Sequence, residues 1–240
     1  MIELTNVSKT YGGGNKAVDD LTWTIPDGSI TGFIGPNGAG KTTTIHMITG
    51  VLAPDEGQIK INGIDIMKDP IGAKKQFGFV PDEPDVFLRL KGIEYLDFIA
   101  NLYDVPEDYR RDFIAKTAPR FEIQNALSSS IMSMSHGMRQ KVMVMGALIH
   151  DPAVWILDEP MTGLDPKSSY VLKEMMHEHA SAGKTVVFST HVLEVAEKLC
   201  DQLCIINHGK QLYEGTLGAL QDQHKGESLE EIFLAETSDE

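Results

Sequence analysis

The chain has 240 residues, 42% of them apolar, enough to bury a real core in one large domain or in a domain with an inserted subdomain. A formal net charge of −14 disfavours a protein that grips nucleic acid by its phosphates, because that role needs a basic surface. A small anionic ligand also gains no long-range steering and has to be held by local donors, since charges are screened beyond about 8 Å at physiological salt.

Residues 2 to 34 read as β-rich. Ile2-Glu3-Leu4-Thr5 alternates, Tyr11 to Lys16 is a turn, and Leu21-Thr22-Trp23-Thr24-Ile25 alternates again. Pro26-Asp27-Gly28 makes a further turn before the apolar run Ile30 to Ile34. Gly35-Pro36-Asn37-Gly38-Ala39-Gly40-Lys41-Thr42-Thr43 follows, with a helix predicted from Thr42 to Ile48. Strand, glycine loop and helix in that order turn G-x-x-x-x-G-K-[ST] into a phosphate cradle. The glycines let successive N–H groups point at one anion, and the helix N-terminus adds its free donors and the positive end of its dipole. Lys41 supplies a point charge for the β- and γ-phosphates, and the Thr42 hydroxyl suits Mg²⁺.

Two short apolar runs follow, Gln58 to Ile61 and Phe77 to Val80. From about residue 84 to 150 the pattern becomes helical: Ile93, Leu96, Ile99, Ala100 and Tyr103 share a face, and a long helix is predicted from Gly137 to Ile149. Five methionines between residues 132 and 145 read as core filling rather than a promiscuous groove. Beyond residue 153, strands (Val154 to Leu157, Thr185 to Phe188, Leu203 to Ile206) alternate with helices (Pro166 to Ala180, Val192 to Leu199), the pattern of a parallel sheet covered by helices. The segment from Gly226 to Glu240 is acidic and reads as a short surface helix with a frayed end.

Val154-Trp155-Ile156-Leu157-Asp158-Glu159-Pro160 is an apolar strand ending in two carboxylates. Asp158 is placed to hold the Mg²⁺ that Thr42 touches. Glu159 leaves the strand in another direction, where it can orient or deprotonate a water in line with a γ-phosphate. Cys200 and Cys204 have a spacing unsuited to zinc or redox work and read as ordinary thiols of a reducing compartment. Glu3 follows Met1 too soon for an apolar leader, and the longest apolar run, Val142 to Ile149, falls far short of a membrane span.

With these motifs in place the chain resembles the nucleotide-binding domain of an ABC transporter over nearly its whole length. Met134-Ser135-His136-Gly137-Met138-Arg139-Gln140 resembles the signature motif, commonly LSGGQ; Gly163-Leu164-Asp165 resembles the D-loop; Thr190-His191 resembles the switch histidine; Tyr11 stands where the family places an aromatic ring under adenine. The resemblance implies an α/β fold: a P-loop NTPase (RecA-like) core with an N-terminal antiparallel β subdomain and an inserted α-helical subdomain. Residues 1–83 and 151–215 would form the core and β subdomain, residues 84–150 the helical subdomain carrying the signature, and residues 216–240 a C-terminal helical tail.

The same resemblance implies ATP and Mg²⁺ as cofactors and assigns roles. Tyr11 stacks on the base, and Gly35, Pro36, Asn37, Gly38, Ala39, Gly40, Lys41, Thr42 and Thr43 cradle the phosphates. Lys41, Glu159 and His191 are catalytic; Thr42, Asp82 and Asp158 serve the metal. Ser135, His136 and Gly137 meet the γ-phosphate of an ATP held by the opposite subunit, with Asp165 at that interface. The expected partners are a second ATPase protomer, head to tail in a homo- or heterodimer, and transmembrane permease subunits on separate chains. No nucleic acid is expected. The expected location is peripheral, on the cytoplasmic face of the cell membrane.

Two positions depart from the family pattern. After Phe77-Gly78-Phe79-Val80-Pro81 the family places glutamine, which reaches Mg²⁺ and the attacking water; here Asp82 stands in its place, followed by Glu83. An aspartate is shorter and charged and can reach the metal through a water. His136 replaces the first signature glycine, and either adds a donor near the γ-phosphate or faces outward. These departures, with the segment Ser228-Leu229-Glu230-Glu231-Ile232-Phe233, resemble ATPases that serve ABC-2-type membrane subunits, mostly exporters. The coupling surface is then expected near Phe87, Leu88, Leu90 and Tyr95, residues that read equally as core.

Three other classes fit less well. A soluble ABC ATPase of DNA repair or translation normally carries a long coiled coil or two ATPase halves, and this chain has one phosphate loop and no sustained heptads. A kinase or GTPase lacks the signature helix, and Asn15-Lys16-Ala17-Val18 lacks the final aspartate of a guanine reader. A regulatory, non-hydrolytic binder would not need Lys41, Asp158, Glu159 and His191 together, although Asp82 and His136 leave that reading open.

Overall fold

The computed structural model describes residues 1–85, 87–224 and 227–237. In chain order the elements are β1 (Ile2–Tyr11), β2 (Asn15–Ile25), β3 (Ile30–Ile34), α1 (Lys41–Ile48), β4 (Glu56–Ile61), β5 (Ile64–Asp65), α2 (Pro70–Lys74), β6 (Phe77–Val80), α3 (Gly92–Leu102), α4 (Glu107–Arg120) and α5 (His136–Leu148). They continue with β7 (Val154–Leu157), α6 (Pro166–Ser181), β8 (Thr185–Thr190), α7 (Leu193–Leu199), β9 (Gln202–Asn207), β10 (Lys210–Gly215), α8 (Leu217–Gln223) and α9 (Leu229–Thr237).

Alternation decides the first sheet, of order β2-β1-β4-β5 and antiparallel throughout. Along β2, Leu21, Trp23 and Ile25 are buried while Thr22 and Thr24 are exposed. Trp23 stacks on Phe33 of β3 with ring centroids 4.6 Å apart, which joins this sheet to the second. The second sheet has the order β10-β9-β3-β8-β7-β6. Its β9-β3-β8-β7-β6 portion is parallel, and β3, β7 and β8 are buried along their whole length, as a sheet covered on both faces requires. Register aligns the site: Ile34 lies opposite Thr190 and Leu157 opposite Phe188. The phosphate loop, the two carboxylates and His191 therefore all leave the carboxyl ends of neighbouring strands, where open α/β sheets bind their ligands.

Leu96 of α3, Ala118 of α4, Phe121 just past α4, and Met143 and Met145 of α5 are buried in one cluster with Trp155, Leu157 and Phe188 of the sheet. Met134, Met143 and Met145 are core, and Met132 is exposed. The short elements β5 and α2, and also α4 and β10, were not expected from the sequence. Helix α4 buries only Thr117 and Ala118, too little to make an apolar stripe. Strand β10 pairs antiparallel with β9 at the sheet edge and has no fully buried residue, so it adds a non-parallel strand to a sheet expected to be parallel. The tail also differs from the expected surface helix. Leu220 of α8 and Leu229 and Ile232 of α9 are buried with Ile34, Leu203 and Ile205. Residues 225, 226 and 238–240 of that stretch lie outside the described residues.

Candidate nucleotide site

Residues 35–40 turn the chain from β3 into α1. Gly40 has φ +109, and a Cβ there would lie 2.3 Å from the Ala17 carbonyl oxygen, so only glycine lets the loop pass β2 at this point. No side chain caps α1, which leaves its first N–H groups to a ligand. Lys41 is buried, and its Nζ donates to the carbonyl oxygens of Gly35 (2.7 Å) and Pro36 (3.1 Å). Beside it opens a hollow of about 210 Å³, lined by Asn37, Gly38, Gly40, Lys41, Thr42 and Thr43 on one side and by Ala17, Asp82 and Glu159 on the other. Tyr11, half exposed, stands at the rim with its hydroxyl 3.5 Å from Thr43 Oγ1.

Asp158 and Glu159 follow the last residue of β7. Asp158 is buried; its N–H donates to the Val80 carbonyl (2.9 Å) and its Oδ1 accepts from Ser189 Oγ at 2.5 Å. Glu159 turns away with φ +43, a left-handed conformation that costs a non-glycine residue about 1–2 kcal/mol. Its N–H donates to the same Ser189 Oγ at 2.9 Å. Its Oε1 meets His191 Nδ1 at 3.0 Å and Lys41 Nζ at 3.6 Å. One carboxylate oxygen of Glu159 thus collects the side chains of both the phosphate loop and the segment after β8. The Thr190 hydroxyl accepts the Val192 N–H at 3.0 Å, which shapes the backbone on either side of His191.

Burial raises the Asp82 carboxyl above its ordinary range, helped by the charges of Asp158, Glu159 and Glu83, with His136 pulling the other way. Crowded carboxylates beside uncapped helix donors and a lysine fit a magnesium–nucleotide complex: the donors take the phosphates and the cation relieves the acidic repulsion. Among the described residues no three His, Cys, Asp or Glu form a self-sufficient metal cage.

The signature residues do not line this hollow. Ser135 caps α5, its Oγ accepting the Met138 N–H at 3.3 Å. His136 is exposed with its ring laid against Gly163, and Gly137 lets α5 begin close to the Gly163 carbonyl, which a Cβ would meet at 2.7 Å. Asp165 caps α6 by accepting the Ser168 N–H at 2.9 Å, and bonds from Ser168 and then Lys141 hold its carboxyl far below the usual range. Ser189, and the pair Arg139–Asp85 (2.5 Å) that ties α5 to the loop after β6, were not foreseen. The cue for Ser189 was a hydroxyl at the end of a strand that runs two residues past Phe188.

Residues 18–162 match the protein family described as ABC transporter. The chain belongs to that family. It is 35% identical to the ABC transporter ATP-binding protein NatA of Bacillus subtilis (strain 168), over 98% of this chain and 97% of the relative. It is likewise 35% identical to the Nod factor export ATP-binding protein I of Sinorhizobium fredii (strain NBRC 101917 / NGR234), over 97% of this chain and 67% of that protein. The solved structure of an ATP-binding subunit of an ABC transporter superposes with a TM-score of 0.94 at 33% identity, covering 98% of this chain and 99% of the other. The ABC cassette described above is therefore the ATP-binding, ATP-hydrolysing subunit of a transporter, with the P-loop NTPase fold. No helix among its described residues is long and apolar enough to cross a membrane.

Proposed function

We propose that this subunit hydrolyses magnesium-bound ATP at a site completed by a second ATPase protomer, and so drives export through membrane subunits on separate chains. The observation that carries the reading is the convergence of Lys41 and His191 on Oε1 of Glu159, beside the phosphate-loop hollow. Tyr11 stacks on adenine, and residues 35–43 hold the phosphates, with Lys41 leaving its loop carbonyls for the β- and γ-phosphates. Thr42 and Asp158 would hold Mg²⁺, and Asp82 lies beside them as a further carboxylate for it. A cation held there would supply charge neutralisation to the phosphates. Glu159 orients and deprotonates the attacking water, and His191 fixes the Glu159 carboxylate and contacts the γ-phosphate.

Ser135, His136 and Gly137 lie at the start of α5 and outside their own chain's hollow, which supports a head-to-tail pair in which each protomer's α5 closes on the other's ATP. The membrane partner docks on the half-exposed aromatic pair Phe87 and Phe98, whose rings are 5.2 Å apart, with exposed Leu102 one turn further along α3. Tyr95, grouped with that surface from the sequence, is instead core: it is buried and its ring packs on Gly146. That docking supports a peripheral position at the membrane, which we place on the cytoplasmic face, and the export direction rests on similarity to a Nod factor export protein.

Glu159→Gln tests the reading. The variant is expected to bind ATP, accumulate as a nucleotide-trapped dimer and lose about 10²–10⁴ in turnover, as removal of a general base does. Near-normal turnover would overturn the assignment.

A further inference from the structure

The Ser189 hydroxyl stands between the two residues on which hydrolysis depends. β7 and β8 are neighbouring parallel strands with Leu157 opposite Phe188, so the next residue of each stands side by side, Asp158 just past the end of β7 and Ser189 still within β8. Ser189 is fully buried. Its Oγ donates its only proton to Asp158 Oδ1 at 2.5 Å and accepts the Glu159 N–H at 2.9 Å. The direction of both bonds is settled by chemistry, since an amide N–H cannot accept and the buried Asp158 oxygen, when ionised, cannot donate.

Two consequences follow. Among the described residues Asp158 Oδ2 accepts no hydrogen bond, so the Ser189 bond fixes the carboxylate through Oδ1 and leaves Oδ2 for the cation assigned to Asp158 above. The bond to the Glu159 N–H also holds that residue in its left-handed conformation (φ +43), which aims Oε1 at His191 Nδ1, 3.0 Å away. β8 therefore holds Glu159 twice, by its backbone through Ser189 and by its carboxylate through His191.

We propose that Ser189 is a positioning residue for ATP hydrolysis: one hydroxyl sets the metal-binding carboxylate of Asp158 and the backbone of Glu159 relative to each other. The inference rests on the roles given to Asp158 and Glu159 above. A hydrogen bond to a charged group corresponds to about tenfold or more in an equilibrium or a rate.

The test compares Ser189→Ala with Ser189→Thr, which keeps the hydroxyl and suits a strand. In steady-state hydrolysis, Ser189→Ala is expected to lose about tenfold in kcat with the ATP KM within about twofold, and Ser189→Thr to recover most of the loss. Independently of turnover, both substitutions are placed in the Glu159→Gln background and binding of a fluorescent ATP analogue is titrated in EDTA and in Mg²⁺. Ser189→Ala is expected to shrink the Mg²⁺-dependent gain in affinity about fivefold or more and to leave binding in EDTA unchanged; Ser189→Thr restores the gain. Unchanged kcat and Mg²⁺ gain in Ser189→Ala would overturn the proposal. So would an equal loss of affinity with and without Mg²⁺ that Thr does not restore, since that marks general disruption. If Ser189→Ala fails to fold, Ser189→Cys, close in volume and a weak donor, carries the same comparison. Retained turnover in Glu159→Gln would strike the underlying reading instead, so the two failures are distinct.

Discussion

Gly40→Ala and Gly38→Ala form a matched pair whose outcomes differ for a stated reason. Both glycines have positive φ, +109 at Gly40 and +83 at Gly38, so either alanine carries backbone strain of about 1–2 kcal/mol. Alanine recovers roughly 0.4–1 kcal/mol of this by restricting the unfolded chain. At Gly38 nothing lies within 4 Å of the new Cβ, and the net loss is about 1 kcal/mol. At Gly40 the Cβ would sit 2.3 Å from the Ala17 carbonyl oxygen, inside the 3.0 Å that real Cβ atoms respect. That carbonyl belongs to β2, and the Asp19 N–H two residues on is bonded to the Gly209 carbonyl, so the strand yields little. Overpacking adds about 1–3 kcal/mol, for a total near 3 kcal/mol. For a domain of this size each kcal/mol shifts Tm by about 2–4 °C. Calorimetry without nucleotide is therefore expected to show a Tm drop of about 2–4 °C for Gly38→Ala and about 6–12 °C for Gly40→Ala. Equal drops, or two drops below about 2 °C, would refute the claim that Ala17 sets the cost.

Asp82→Gln removes a charge that Asp158 and Glu159 oppose, and is expected to keep or raise ATPase turnover; a collapse in steady-state hydrolysis would give the Asp82 carboxylate a role of its own. His179 lies edge-on to Trp155 with ring centroids 5.8 Å apart, and burial lowers its pKa to about 4. A histidine kept neutral in the fold but protonated in the unfolded chain makes stability rise with pH: its contribution is full above the unfolded value near 6.5 and is lost as pH falls toward about 4. Urea midpoints at pH 7.5 and at pH 5 are expected to differ less in His179→Phe than in the parent chain, and identical differences would remove His179 as the source.

The parts of the site that lie close together in sequence were legible before the fold. The run Ile30 to Ile34 leads directly into the phosphate loop, and Val154 to Leu157 runs straight into Asp158, so each carries its strand and its proposed site residue in one short segment. Ser189 carries no such signal. A serine at a strand end is commonplace, and its meaning depends on β7 lying beside β8, a pairing across 31 residues. Arg139 and Asp85 are separated by 54 residues, and nothing local couples them. Tyr95 and Phe87 have the same apolar character, yet one is core and the other half exposed; helical spacing does not say which neighbour covers a face. His136 admitted two orientations from the sequence, and its position over Gly163 follows from how closely α5 approaches the loop before α6.

The burial of Ile34 with Leu220, Leu229 and Ile232 has a practical bearing on where the chain can be cut. Ile34 is the last residue of β3, directly ahead of Gly35. A proteolytic nick or stop codon just after β10 would strip away α8 and α9 and wet Ile34, Leu203 and Ile205 at the base of the phosphate loop. The ATP-binding unit does not end with the last strand of its sheet: the final helices are the floor beneath its glycine loop.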